Sequence, residues 1–373
     1  MASAGRAVSP GLFDPLTLRG LELTHRGWVA AMCQYSADAR RSPGTPGDWH
    51  LMHLGSFAAG GAALIITEAT AVSPEGRISP QDTGLYTDGH TAAWRRITDF
   101  VHRYGAAGTK IGVQLAHAGR KASTYPPFAA AGGSVPESGG GWPTVGPTTE
   151  PFGRYAAPAM LDEAGLAAVV ADFARAAGRA VEAGFDTIEI HAAHGYLLHQ
   201  FLTPLVNTRT DGWGGSEEAR SRLMLEVIDA VRAVIPESMP LLLRISATDW
   251  MEGGVDVESS SRLAVQARNR GVDLVDVSSG GAVPSAAVPV GPGYQTGFAG
   301  QIRAAAGIPT AAVGLISTAA EAEEVLRGGR ADAVLMARAA LRDPHWWMRA
   351  AAELDAKLPW VPQYERARTS GHF

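Results

Sequence analysis

Residues 191–196 read HAAHGY. Two imidazoles stand three positions apart, and a phenol follows two positions after the second. Such a set can ligate a metal, act as an acid–base pair, hold a negatively charged oxygen, or pack in a core. Each neutral imidazole offers one N–H donor, and a phenol with a pKa of about 10 stays protonated at neutral pH. Two donors beside a weak acid suit a reaction that builds charge on an oxygen and then needs a proton. A hydrolytic metal centre normally adds carboxylate ligands, and Glu68 and Asp249 are the candidates for that role.

Hydrophobic patterning indicates what could bring these side chains together. The runs 27–32, 62–67, 110–115, 185–190, 240–245, 272–277, 308–313 and 331–336 are rich in Val, Ile, Leu and Ala and too short for buried helices. They read as strands buried on both faces. Helical segments lie between them, among them 90–105, 161–183, 216–235 and 317–328. Ser216 with Glu218, and Ser317 with Glu321, put polar and acidic groups at helix starts; Gly184, Gly271, Gly307 and Gly329 fall near helix ends.

Eight strand–helix units predict an α/β fold of the (β/α)₈ TIM-barrel type. A doubly wound sheet is the alternative, but it opens with a glycine-rich turn after its first strand, where this chain has MCQYS (32–36). The opening LFDPLTLRGLELTHR (12–26) reads as an N-terminal hairpin, turning at Arg19-Gly20 and placed to plug the lower end of the barrel. Residues 122–158, rich in Gly and Pro, interrupt the alternation after strand three and predict a lid over the upper face. No linker divides the chain, so 1–373 is read as one domain with a C-terminal tail at 359–373.

Barrel enzymes carry their chemistry at the C-terminal strand ends. Here those ends present Cys33 and Tyr35; Glu68, Ala69 and Thr70; Gln114, His117, Arg120 and Lys121; His191, His194 and Tyr196; Arg244; Ser278 and Ser279; Gly314; and Arg338. The ring is rich in donors and cations and poor in carboxylates. Gly314 and Arg338, after strands seven and eight, mark the usual barrel phosphate site. Gln114 and Arg244 can donate to the edge of a heteroaromatic ring. Together these point towards a flavin mononucleotide.

Composition narrows the field. The formal charge is −5, which argues against electrostatic capture of nucleic acid. The single cysteine, Cys33, excludes an internal disulfide, and no apolar run approaches the ~20 residues of a membrane span. The start MASAGRAVSPG lacks the apolar segment of a signal peptide, so a cytoplasmic, non-membrane protein is expected.

The chain resembles the Old Yellow Enzyme family of flavin-dependent ene-reductases, in particular its thermophilic-like branch that includes bacterial xenobiotic reductases. The resemblance rests on MCQYS (32–36), ITEATAVSPEGR (66–77), VQLAHAGRKAS (113–123), IEIHAAHGYLLHQFLTPLVNTRTDGWGGS (188–216), LLRISATDW (242–250), DVSSGG (276–281), GPGYQTGFA (291–299), AVGLI (312–316) and QYERA (363–367). It implies a barrel holding FMN non-covalently, reduced by NAD(P)H with NADPH preferred, and acting on activated alkenes such as enones, maleimides and nitroalkenes. It assigns Ala30, Met32, Cys33, Ala69, Gln114 and Arg244 to the flavin ring and ribityl region, with Ser279, Gly314 and Arg338 near the ribityl chain and phosphate. It assigns His191 and His194 to the substrate oxygen, Tyr196 to proton donation and Tyr35 to substrate positioning. Cys33 is then a group that tunes the redox potential, not a nucleophile.

Arg366 matches an arginine that reaches a neighbouring subunit's site, which implies a homodimer or homotetramer. Three residues depart from the family pattern: Ala31 for proline, Trp213 for tyrosine, and Arg368 for an aromatic residue in the tail. Two other readings remain: a flavin-binding protein without catalysis, and a barrel metallohydrolase.

Overall fold

The structure, a computed structural model, describes residues 9–106 and 108–368. Residues 1–8, which include most of the start read for a signal peptide, and 369–373, the end of the predicted tail, lie outside the described residues.

A two-stranded antiparallel hairpin, β1 (Leu16–Leu18) and β2 (Leu21–Leu23), comes first and turns at Arg19-Gly20 as the sequence predicts. Eight parallel strands follow and close into a barrel: β3 (Gly27–Val29), β4 (Leu64–Ala71), β5 (Lys110–Ala116), β8 (Thr187–Ala192), β9 (Leu241–Ser246), β10 (Leu274–Ser278), β11 (Thr310–Ala312) and β12 (Ala333–Met336). β12 pairs with β3, through Val334 to Gly27, and leaves no open edge. The two-residue strands β6 (Val145–Gly146) and β7 (Ala159–Met160) lie outside this sheet.

Strand periodicity sorts the side chains. Trp28, Ala30, Leu64, Ile66, Leu242, Leu274, Ala311 and Leu335 form the interior cluster, and Leu18, Leu21 and Leu23 of the hairpin join it. The hairpin therefore packs with the barrel interior. The alternate residues, Ile65, Ile111, Ile188, Ile190, Leu243 and Val275, bury against the helices. Those helices include α1 (Asp48–Ala59), α2 (Asp88–Tyr104), α3 (Glu163–Glu182), α4 (Leu197–Leu202), α5 (Glu217–Val234), α6 (Val257–Asn269), α7 (Thr296–Ala306) and α8 (Ala319–Arg327). Short helices α9 (Arg338–Arg342) and α10 (Trp346–Glu353) complete the outer layer. None of the described helices is long and apolar enough to cross a membrane.

Caps fix where helices begin. Ser216 accepts from the Ala219 amide and starts α5. The start of α8 is one residue later than Ser317: Thr318 is the cap, forming a box with Glu321, whose carboxylate also accepts the Ser317 amide at 2.8 Å.

Two long segments position the upper face. The lid is ordered by specific contacts: the Trp142 indole donates to the Glu75 carbonyl at 2.9 Å, and the Arg77 guanidinium lies 4.7 Å over that ring. The 207–216 loop is fastened by Arg209, which forms a two-pronged pair with Asp211 and donates to the Leu161 carbonyl at 2.7 Å. Trp213 is buried there beneath Arg222, 4.0 Å over its ring, and Ala31 packs on the barrel interior.

Candidate active site

β8 carries Thr187, Glu189 and His191 on its inward face and then runs into a left-handed turn. His194 has φ +58° and Gly195 φ +72°. A Cβ at Gly195 would lie 2.0 Å from the Gly281 carbonyl oxygen, so the turn packs backbone to backbone against the loop after β10. α4 begins directly after, with Tyr196 as its cap residue. The sequence thus folds HAAHGY into a strand end, a tight turn and a helix start.

The hydrogen bonds assign the proton on the first of the two imidazoles. His191 Nδ1 accepts the Ala193 amide at 3.3 Å, so its proton sits on Nε2. His194 Nε2 lies 2.7 Å from the Ser278 hydroxyl. Gln295 Oε1 accepts from the Ser279 hydroxyl at 2.6 Å and from the Ser278 hydroxyl at 3.4 Å. The acceptor that takes the Ser278 proton, Gln295 or His194, decides whether the His194 proton sits on Nε2 or Nδ1. His191 Nε2 and His194 Nδ1 face each other at 3.4 Å. With its proton on Nε2, His191 is the donor in this contact, and a ligand oxygen entering here would meet that N–H. Burial and the Arg244 charge hold both imidazoles well below their ordinary pKa, which keeps them neutral.

Tyr196 lies beside this pair, its ring 5.1 Å from that of His191. Among the described residues its hydroxyl has no hydrogen-bond partner. Burial pushes the phenol well above its ordinary value, so it stays protonated. Lys121 sits 5.0 Å from the Tyr196 ring and donates to the His194 carbonyl at 2.7 Å. Burial, then Arg120, pushes that ammonium down to about 8. Cys33, Tyr35, Tyr196 and lid Trp142 pack around Ala69, Ala116 and Ala118. Phe128 closes on Tyr35 edge-to-face at 5.9 Å. Burial raises both the Cys33 thiol and the Tyr35 phenol, so neither is ionised at neutral pH.

Beside this chamber a cavity of about 190 Å³ opens at the ends of β9 to β12, lined by Arg244, Ser278, Tyr294, Gln295, Gly314 and Arg338, among others. Asp276 grips Arg244 through Nε at 3.0 Å. The two terminal nitrogens of Arg244 have no partner among the described residues and are free for a ligand. Gly314 has φ +133°, and a Cβ there would crowd Gln295 and Tyr294 at 3.2 and 3.3 Å. A guanidinium with unused donors, a second cation and a glycine-lined wall fit a phosphate-bearing heteroaromatic cofactor such as FMN. Below lies a polar layer in the barrel interior. Gln114 donates to Glu189 at 2.7 Å, while burial and then Asp276 push Glu189 up to about 8.

The structure therefore gathers Cys33, Tyr35, Ala69, His191, His194 and Tyr196 in one chamber, with Arg244, Gly314 and Arg338 beside it. Ala30 and Met32, just past the end of β3, line a separate small cavity with His50 and Trp94. Ser279 does not line the cavity, since its hydroxyl serves Trp250 and Gln295; Ser278 does. Strand alternation carries the signal for that choice, because Leu274, Asp276 and Ser278 share the inward face. Arg366 is exposed on a 3₁₀ turn (Pro362–Ala367). Neither carboxylate considered for a metal faces the imidazole pair: Glu68 engages His50 at 3.0 Å and Asp249 engages His199 at 3.1 Å. Trp142, Gln295 and His199 escaped the sequence reading; only His199, inside the HAAHGYLLHQ stretch, had a positional signal.

The model of the NADH:flavin oxidoreductase / NADH oxidase family matches residues 11–357. An NADPH dehydrogenase of Geobacillus thermodenitrificans is 46% identical over 356 residues, 95% of this chain and 98% of the relative. An NADH:flavin oxidoreductase of Gibberella zeae is 45% identical, covering 86% of this chain and 80% of its own. Among solved structures, morphinone reductase aligns with a TM-score of 0.76 at 30% identity, over 95% of this chain and 92% of that one. An old yellow enzyme homologue from Zymomonas mobilis gives 0.77 at 26% identity, over 94% of each chain.

Proposed function

Because the chain belongs to the NADH:flavin oxidoreductase / NADH oxidase family, the FMN-dependent group that includes the Old Yellow Enzymes, we propose that it reduces alkenes conjugated to a carbonyl or nitro group. Membership makes it an NAD(P)H:flavin oxidoreductase with FMN as cofactor. The observation that carries the finer reading is the buried, neutral imidazole pair, with His191 Nε2 3.4 Å from His194 Nδ1, beside the buried Tyr196 phenol.

When bound, FMN would supply the redox chemistry, as a two-electron carrier between NAD(P)H and the alkene. The chain's own residues do the rest. Arg244, through its free terminal nitrogens, Gln114 and Arg338 would hold the cofactor, with Ala30, Met32, Cys33, Ala69, Gly314 and Ser278 around it. His191 Nε2–H donates to the substrate oxygen as charge builds there, joined by His194 Nδ1–H in the tautomer in which Ser278 donates to His194 Nε2. Neutral rings suit this, since they stabilise the oxygen without transferring their protons. Tyr196 gives its phenolic proton to the α-carbon. Tyr35, with Phe128 against it, positions the substrate, and the Trp142 contact keeps the lid over the chamber and limits water.

Both substrates use the same chamber, so ping-pong kinetics are expected. The names of the bacterial relatives favour NADPH over NADH as donor. Arg366 is proposed to act on a neighbouring subunit in a homodimer or homotetramer. Steady-state assays with NADPH and NADH against 2-cyclohexenone, N-methylmaleimide and a nitroalkene test the reading. Saturated product formed at the expense of NADPH supports it. FMN-loaded protein that reduces none of the three overturns it.

A further inference from the structure

We propose that His199 and Asp249 are a positioning pair that holds the turn between His194 and Tyr196 through the Gly195 amide. The proposal rests on the roles given above to His194 and Tyr196.

The turn has two successive left-handed residues, so regular backbone pairing cannot satisfy its peptide groups. A separate side chain holds each of them. The His194 amide donates to Ser246 Oγ at 2.9 Å, and its carbonyl accepts from Lys121 at 2.7 Å. The Gly195 carbonyl accepts from Gln200 Nε2 at 2.8 Å. The Gly195 amide, at the centre, donates to His199 Nδ1 at 2.9 Å. It has no other partner among the described residues.

That bond dictates the state of His199. Nδ1 must offer a lone pair, so the ring proton is on Nε2, which lies 3.1 Å from Asp249 Oδ1. Both residues are buried, at 1% and 0% exposure. The other Asp249 oxygen accepts from the Thr203 hydroxyl at 2.6 Å and the Val255 amide at 2.8 Å. Those two donors fix which carboxylate oxygen is left for the imidazole, so each end of the ring has one compatible partner. The logic is that of an aspartate selecting a histidine tautomer, here serving a backbone amide instead of a nucleophile. His199 touches neither substrate nor cofactor in this arrangement. It acts by fixing the peptide that joins the oxygen-binding imidazole to the proton donor. A displacement of about 1 Å between such groups can cost about 10²-fold in rate.

Three variants separate this role from simple packing. His199→Asn keeps an acceptor at the Nδ1 position but not the donor to Asp249. His199→Gln keeps that donor and loses the acceptor. In Asp249→Asn, Thr203 and Val255 retain the amide oxygen, so the NH₂ group faces His199 and forces its proton onto Nδ1, against the Gly195 N–H. The readouts are kcat and KM for 2-cyclohexenone, hydrogen exchange at the Gly195 amide, FMN content and melting temperature. The proposal predicts parent-like kcat and Gly195 protection for His199→Asn. It predicts faster Gly195 exchange and a kcat loss of about 10²-fold for His199→Gln and Asp249→Asn, with FMN still bound.

The opposite order, Gln tolerated and Asn not, overturns it and leaves only a structural partner for Asp249. Equal Gly195 protection in all three also overturns it. If either His199 variant fails to fold, exchange in Asp249→Asn decides by itself. If the unsubstituted, FMN-loaded protein reduces no enone, the functional reading fails, while Gly195 exchange still decides this proposal.

Discussion

On the proposed reading, Ser278 donates to His194 Nε2 and so puts the His194 proton on Nδ1, towards the substrate oxygen. Removing its hydroxyl in Ser278→Ala frees His194 to adopt the other tautomer, with a lone pair where a donor is needed. A lost oxyanion donor costs about 10²–10³-fold in rate, so kcat for 2-cyclohexenone should fall towards that range, with recovery in Ser278→Thr. Unchanged kcat in the alanine variant would show that the hydroxyl does not set the tautomer. Deeper in the barrel, Glu189 is raised from 4.5 to about 8, burial being the main cause and Asp276 the second. The native state then keeps a proton that the unfolded chain releases. The stability this group contributes is present below about 4.5 and lost as pH rises to about 8. Glu189→Gln lacks that loss, so its melting temperature should gain on the parent across that window; parallel curves would contradict the assignment.

At the scale of elements, the decisive unit is β8, the left-handed turn and α4. Gly195→Ala places a Cβ 2.0 Å from the Gly281 oxygen at a positive φ. The backbone conformation alone costs about 1–2 kcal/mol, and the clash adds to it. Calorimetry should show a lowered melting temperature and assays a loss of enone turnover; a silent substitution would mean that the turn and the Gly281 loop are not locked. The strands and their order were legible because each is a short apolar run between capped helices, and buried strands leave little choice of period. The same period, applied to β10, assigns Ser278 and not Ser279 to the interior. The placement of Trp142 and Phe128 was not legible, since a Gly/Pro-rich lid has no periodicity and its contacts come from distant parts of the chain. Nor could sequence spacing reveal that Asp249 binds His199, as the two lie on separate strand–helix units.

The whole molecule is a closed barrel whose hairpin packs with the interior and whose upper face is covered by the lid. The C-terminal turn lies on the outside: the Tyr364 ring sits tilted 5.7 Å from that of His345, and Arg368 pairs with Glu365 at 3.5 Å. Arg366 is exposed and has no ion pair among the described residues, which suits a role on a neighbouring subunit. Arg366→Ala should raise KM for 2-cyclohexenone while light scattering still reports an oligomer. A monomeric parent, or an unchanged KM, would remove Arg366 from the site. The motifs that made HAAHGY readable are local, whereas any contact between subunits is not encoded in spacing within one chain.

The central claim, that His191 and His194 hold the oxygen while Tyr196 supplies the proton, is tested most directly by anaerobic stopped-flow on the unsubstituted protein and Tyr196→Phe. Flavin absorbance is followed first on mixing with NADPH, then on mixing the reduced protein with 2-cyclohexenone. Bleaching by NADPH at similar rates in both, with recovery slowed by about 10²–10⁴-fold in the variant, is the predicted result. Equal recovery rates in the two proteins would contradict it.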